Sequence, residues 1–237
     1  MKGIFNYDGP IMSFLGKVAD LIWLNVLIIF FSIPIITIGA AQTAGHYAAL
    51  KLKREEGHVL QNFWKSFKMN FKQSTLIWLI LIVLYAVNAL AIMISNGSNL
   101  PMASIISGIL LGAVIFIGIM NLWVYPLQCR FDNKISSTIR NAFFMGFKHI
   151  FRSILMAICY AVPIALLLSG IYQIIPILLL LGISTPIYWN VLAYNKVFER
   201  IEEQILGKDS EEDEENIAEE GETENDEVQP QLPDNEA

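Results

Sequence analysis

The stretch 73–129, QSTLIWLILIVLYAVNALAIMISNGSNLPMASIISGILLGAVIFIGIMNLWVYPLQC, decides the fold, because its 57 residues include no Asp, Glu, Lys or Arg. Two further windows, 21–50 and 153–195, are equally free of charge, so all 38 charged side chains crowd into the rest of the chain. Soluble helices keep a wet, charged face along their length, whereas a charge at the centre of a bilayer costs about 3 kcal/mol. The pattern excludes a soluble globular domain and implies an integral membrane protein. Composition agrees, with 54% hydrophobic and 16% charged residues against about 25% charged in soluble proteins.

A helix needs about 20 residues to cross the hydrocarbon. The window 73–129 fits two spans, near 75–95 and 103–125, joined by a turn at Asn96-Gly97-Ser98-Asn99-Leu100-Pro101. The window 153–195 also fits two, near 153–169 and 173–193, which Pro163, Pro176 and Pro186 are expected to bend. The first window is too long for one span and too short for two. A span near 18–38 is expected to kink at Pro34, and the small residues from Thr37 and Gly39 onward belong to a helix leaving along the protein surface. A re-entrant segment is the alternative. The reading is an all-α membrane protein of five transmembrane helices, with an N-terminal segment 1–17, a transmembrane domain 18–205 and an acidic tail 206–237.

Charge sets the orientation. Lys51, Lys53, Arg54, Lys65, Lys68 and Lys72 lie in one loop region, and Arg130, Lys134, Arg140, Lys148 and Arg152 in another. The positive-inside rule places both in the cytoplasm, with the C-terminus inside and, for an odd span count, the N-terminus outside. Re-entry after Pro34 would put the N-terminus inside instead.

The two basic regions repeat at an offset of 80. Phe63, Trp64, Phe67, Lys68, Phe71 and Lys72 correspond to Phe143, Phe144, Phe147, Lys148, Phe151 and Arg152. At 100° per residue each set forms an aromatic face with a basic flank. Such amphipathic helices are expected to lie in the cytoplasmic interface, rings among acyl chains and cations toward anionic headgroups. Each copy would be one such helix plus a two-span hairpin, a parallel repeat about an axis along the membrane normal.

Intramembrane chemistry usually shows ionisable residues within spans, and here only Asp20 stands at an edge. His46, His58 and His149 sit at unrelated positions, and no metalloprotease, nucleotide-binding or nucleophile-elbow motif occurs. The expectation is no enzyme, no metal and no cofactor. Asn25, Asn88, Asn121, Gln128 and Asn190 are neutral polar residues within spans, expected chiefly to bond helix to helix. The sharper reading gathers Asn25, Asn88, Asn121 and Asn190 into a polar cavity beside Trp23, Trp78, Trp123 and Trp189, suited to a neutral hydroxylated solute. Cys129 and Cys159 are read as small apolar residues. From Asp209 onward the tail carries 14 acidic residues and no basic one, a composition expected to be disordered.

The run from Asp20-Leu21-Ile22-Trp23-Leu24-Asn25 through Ser32-Ile33-Pro34-Ile35-Ile36-Thr37-Ile38-Gly39-Ala40-Ala41, followed by Phe63-Trp64-Lys65-Ser66-Phe67-Lys68 and Asn70-Phe71-Lys72, resembles the opening of the YesL-like family of bacterial membrane proteins. The likeness is sharpest over residues 1–75 and leaves the acidic tail outside. It implies a multi-span protein of the bacterial plasma membrane, encoded beside carbohydrate ABC transporters and glycan-degrading enzymes, and it brings no catalytic residues. Taken together, these readings favour an accessory or regulatory partner of oligosaccharide uptake that contacts the bilayer and a carbohydrate ABC transporter, with no nucleic-acid role. The alternative is a small transporter or channel for a neutral polar solute, using a cavity between the repeated hairpins.

Overall fold

A computed structural model of the protein describes the backbone of residues 10–97 and 102–227, and side chains for 11–97 and 102–207. The described residues are helical and contain no strand. In chain order they form α1 (Pro10–Ser32), a 3-10 turn (Ile35–Thr37), α2 (Ile38–Lys53), α3 (Val59–Gly97) and α4 (Ala103–Arg130). There follow α5 (Ile135–Lys148), α6 (Ile150–Leu168), a second 3-10 turn (Tyr172–Ile174), α7 (Ile175–Leu181) and α8 (Ser184–Glu227). Among the described residues four helices are long and apolar enough to cross a membrane, namely α1, α3, α4 and α6; α7 and the first part of α8 pass the same test only as a bent pair, a broken span or a re-entrant loop. This is a multi-span helical protein, as the charge-free windows require.

At Pro34 the chain departs from the expected kink: α1 stops at Ser32 and the residue path turns back. Pro34 is extended (φ −74, ψ 116), since its ring excludes the helical hydrogen bond and restrains the residue before it. The Thr37 hydroxyl closes the turn on the carbonyls of Phe31 (2.6 Å) and Pro34 (2.8 Å). Beyond it, α2 is no surface helix, because eleven of its sixteen residues are buried. It returns along α1: Lys17 pairs with Glu55 at 2.8 Å, and a Cβ on Gly45 would stand 2.8 Å from Ile28 Cδ1. Close approach also explains Gly39, where a Cβ would meet the Ser74 carbonyl oxygen and stand 2.6 Å from Trp78 Cβ. These small residues let α2 wedge between α1 and α3.

The helix α3 has 39 residues, about 58 Å at 1.5 Å per residue. It runs through the first aromatic–basic segment without a break, so this segment and the span after it are one continuous helix. The second segment, expected to be one helix ahead of the span, is divided within itself: the chain breaks at His149 (φ −118, ψ 46), leaving Phe143, Phe144, Phe147 and Lys148 in α5 and Phe151 and Arg152 in α6. Ser153 bridges that break, its hydroxyl bonding the Gly146 carbonyl at 2.8 Å while accepting the Trp123 indole N–H at 2.8 Å. The helices α3 and α4 form an antiparallel hairpin: Ser95 Oγ donates to Ala103 O (2.9 Å) at one end, and Gln128 reaches Gln73 (2.6 Å) at the other. Most of the turn expected between them, 98–101, lies outside the described residues.

The bend in the last segment lies where Pro186 requires one: it has no N–H to give the Gly182 carbonyl, and its ring excludes a helix continuing from α7 into α8. Pro176 opens α7 and Pro186 sits in the first turn of α8, positions at which a helix that starts there loses no hydrogen bond. The two helices meet at 55° across Gly182 and Ile183. The chain divides into two compact units, Met1–Ala193 and Tyr194–Ala237. In the second, Tyr194 and Phe198 pack ring on ring at 4.9 Å, and the helical backbone continues to Glu227, into the stretch for which composition predicts disorder. Glu and Ala are good helix formers, and extending an existing helix avoids the cost of nucleation. The remainder, 228–237, lies outside the described residues.

Candidate functional site

The four asparagines read as a cavity lining are placed in different environments. Asn25 is fully buried and holds the α7–α8 joint: its Nδ2 donates to Leu179 O (2.7 Å), and its Oδ1 accepts the backbone N–H groups of Ile183 (2.8 Å) and Ser184 (2.9 Å). One amide thereby caps the end of one helix and the start of the next. Asn190 lies beside the Tyr160 hydroxyl without either atom of its amide completing a hydrogen bond of good geometry. Asn88 and Asn121 each keep a buried side-chain oxygen without a hydrogen-bond partner. None of the four lines any of the three cavities described below. The expected tryptophan partners scatter too, with Trp23 and Trp189 about 60% exposed and Trp123 buried.

Other interior polar groups join helices in pairs. Thr43 of α2 meets Ser74 of α3 at 2.8 Å, the Trp78 indole donates to Ile35 O at 2.7 Å, and His46 Nε2 lies 3.2 Å from the Tyr160 hydroxyl. His46 is buried in α2.

The aromatic–basic segments are half interior. Phe63 and Phe67 are buried and close on Phe31 of α1, with centroids 5.5 and 4.8 Å away. Their rings meet protein where the sequence reading placed acyl chains, because α1 turns at Pro34 and delivers Phe31 to them. Trp64 and Phe71 stay partly exposed, and Lys68 stands over the Trp64 ring at 4.7 Å, a cation–π geometry. Lys72 is exposed. In the second copy Phe143 and Phe147 close on Phe116 of α4 at 5.7 and 4.5 Å. Phe144 and Phe151 are exposed, Lys148 is exposed, and Arg152 is half-buried. Each copy thus clasps one phenylalanine of a preceding span.

Three cavities stand out. Two apolar grooves of about 390 and 400 Å³ flank the contact of α6 with α7, and Pro163, Leu178 and Gly182 line both. The third, about 300 Å³, is of mixed character, more polar than the other two, and lies at the base of the α3–α4 hairpin, between Met69, Asn70 and Gln73 of α3 and the run from Gln128 through Asp132. Sequence reading named Gln128 but missed this site, since Asn70 and Gln73 stand 55 or more positions away. The available signal was that polar side chains gather just where the charge-free window begins and ends.

Residues 21–92 match the family model described as Protein of unknown function, DUF624. No curated protein and no solved structure matches the chain.

Proposed function

We propose that the chain is a non-catalytic, multi-span protein of the bacterial plasma membrane that serves as an accessory partner of oligosaccharide uptake, with its C-terminus in the cytoplasm. The observation that carries the reading is how its polar interior is used. Asn25, Thr43, Ser74, Trp123 and Ser153 bind helix to helix, which builds a scaffold, while the outer faces of α3 and α4 are bare apolar surface from Val83 to Ile94 and from Ile105 to Phe116. On that face of α4 nothing stands within 4 Å of a Cβ at Gly108 or Gly112, spacing that admits another helix closely. The likeness to membrane proteins encoded beside carbohydrate ABC transporters supplies the partner class. Deleting the gene should lower uptake of labelled oligosaccharides, and the wild-type chain should restore it. Unchanged uptake of every sugar tested after deletion would refute the proposal.

A further inference from the structure

We infer that Arg152, at the elbow between α5 and α6, is a docking cation for a partner protein whose membrane span carries a carboxylate. Neither the surface nor its test depends on a role in sugar uptake. Arg152 is the last charged residue before the window 153–195, and no acidic residue stands between Asp132 and Glu199. Its Nη1 is buried without a hydrogen-bond partner among the described residues, while the residue as a whole is half-buried. A guanidinium is always charged and carries five N–H donors. An enclosed donor of this kind, with no acceptor of its own chain, calls for an anion from outside.

Depth selects the kind of anion. Three contacts fix the elbow beside α4: the Phe147 ring lies 4.5 Å from that of Phe116, a Cβ on Gly146 would stand 2.6 Å from the Ile119 side chain, and the Trp123 indole donates to the Ser153 hydroxyl. Trp123 lies six residues inside the charge-free run that ends at Cys129, about 9 Å at 1.5 Å per residue. Phe116 lies thirteen residues inside it, about 20 Å. Between those heights Arg152 is within the hydrocarbon, whose half-thickness is about 15 Å.

A lipid phosphate reaches such a depth only where the bilayer thins. A carboxylate on a neighbouring span stands there already, and its two oxygens match the planar fork of a guanidinium. The surface around Arg152 suits the rest of such a helix, because Phe144, Phe151 and Leu155 are exposed on the same elbow. A span seated on them would shut water and headgroups away from the ion pair, which strengthens it.

The test places the full chain, acceptor-labelled, in phosphatidylcholine nanodiscs with a donor-labelled synthetic span of about 20 residues, built of Leu and Ala around one central Glu or Gln. Energy transfer should show the Glu span associating about tenfold more tightly than the Gln span. Arg152→Gln should erase that preference, and Arg152→Glu should transfer it to a span with a central Arg, a gain that misfolding cannot mimic. Lys148→Gln, at an exposed neighbour, should leave the preference intact. No preference for the Glu span, or a preference lost equally in the Lys148 variant, would overturn the inference. So would its loss when phosphatidylglycerol replaces half of the phosphatidylcholine, which would give Arg152 to a lipid phosphate.

Discussion

At Asn25 a single amide settles the geometry of a joint more than 150 residues away. Its three hydrogen bonds satisfy the carbonyl of Leu179 and the N–H groups of Ile183 and Ser184, and without them the break between α7 and α8 leaves buried backbone donors unpaired. Leaving a buried polar group unsatisfied costs about 1–3 kcal/mol. Asn25→Leu should therefore lower the thermal unfolding midpoint of the detergent-solubilised protein, while Asn88→Leu, which removes an oxygen already without a partner, should leave it nearly unchanged. Equal loss in the two variants would assign Asn25 no special role. From the sequence, both residues read alike, as neutral amides in apolar helices. Nothing local distinguishes them, because what Asn25 caps is set by how α7 and α8 pack against α1.

Among elements, local chemistry decided where helices stop, and tertiary contact decided where they go. Pro34 was legible as an interruption, but the choice between a kink and a reversal depended on Gly39 and Gly45 meeting Ser74 and Ile28, residues remote in sequence. The same limit applies to the aromatic–basic repeat: its spacing was legible, yet α3 runs through the first copy while the second breaks at His149. The returning α2 brings Glu55 against Lys17, and just past its end Glu56 closes locally on Lys51 of the same helix. Hydrogen bonds from these ammonium groups hold both carboxyl groups below the ordinary carboxylate range. A carboxyl whose pKa is lowered by folding contributes stability that is complete above its unfolded value, about 4.3 for Glu, and lost as pH falls through the folded value. Replacing both by Gln should make the protein less stable than wild type at neutral pH, with the difference vanishing in acid and narrowing in high salt. A gap that persisted unchanged at acid pH would show that these pairs contribute nothing through their charge.

For the molecule as a whole, the spans were legible because exclusion of charge is a property of sequence alone, whereas sidedness depends on how many times the chain turns. Five spans with Pro34 as a mere kink would place the N-terminus outside. The α1–α2 hairpin changes the count: Lys17 and Glu55 share one end of it, so the start of α1 lies on the side of the basic loop that follows α2. If that loop is cytoplasmic by its charge, the N-terminus is cytoplasmic too, and Gly97 at the far end of α3 faces the opposite side. Single cysteines at Leu15, Glu55 and Gly97, all exposed positions, test this in a background with Cys129 and Cys159 replaced by Ala. A membrane-impermeant maleimide should label the Gly97 variant in intact cells and the Leu15 and Glu55 variants in inverted vesicles. Labelling of the Leu15 variant from the same side as Gly97 would mean that α1 and α2 do not return to a common side, and the hairpin with its Lys17–Glu55 pair would have to be abandoned.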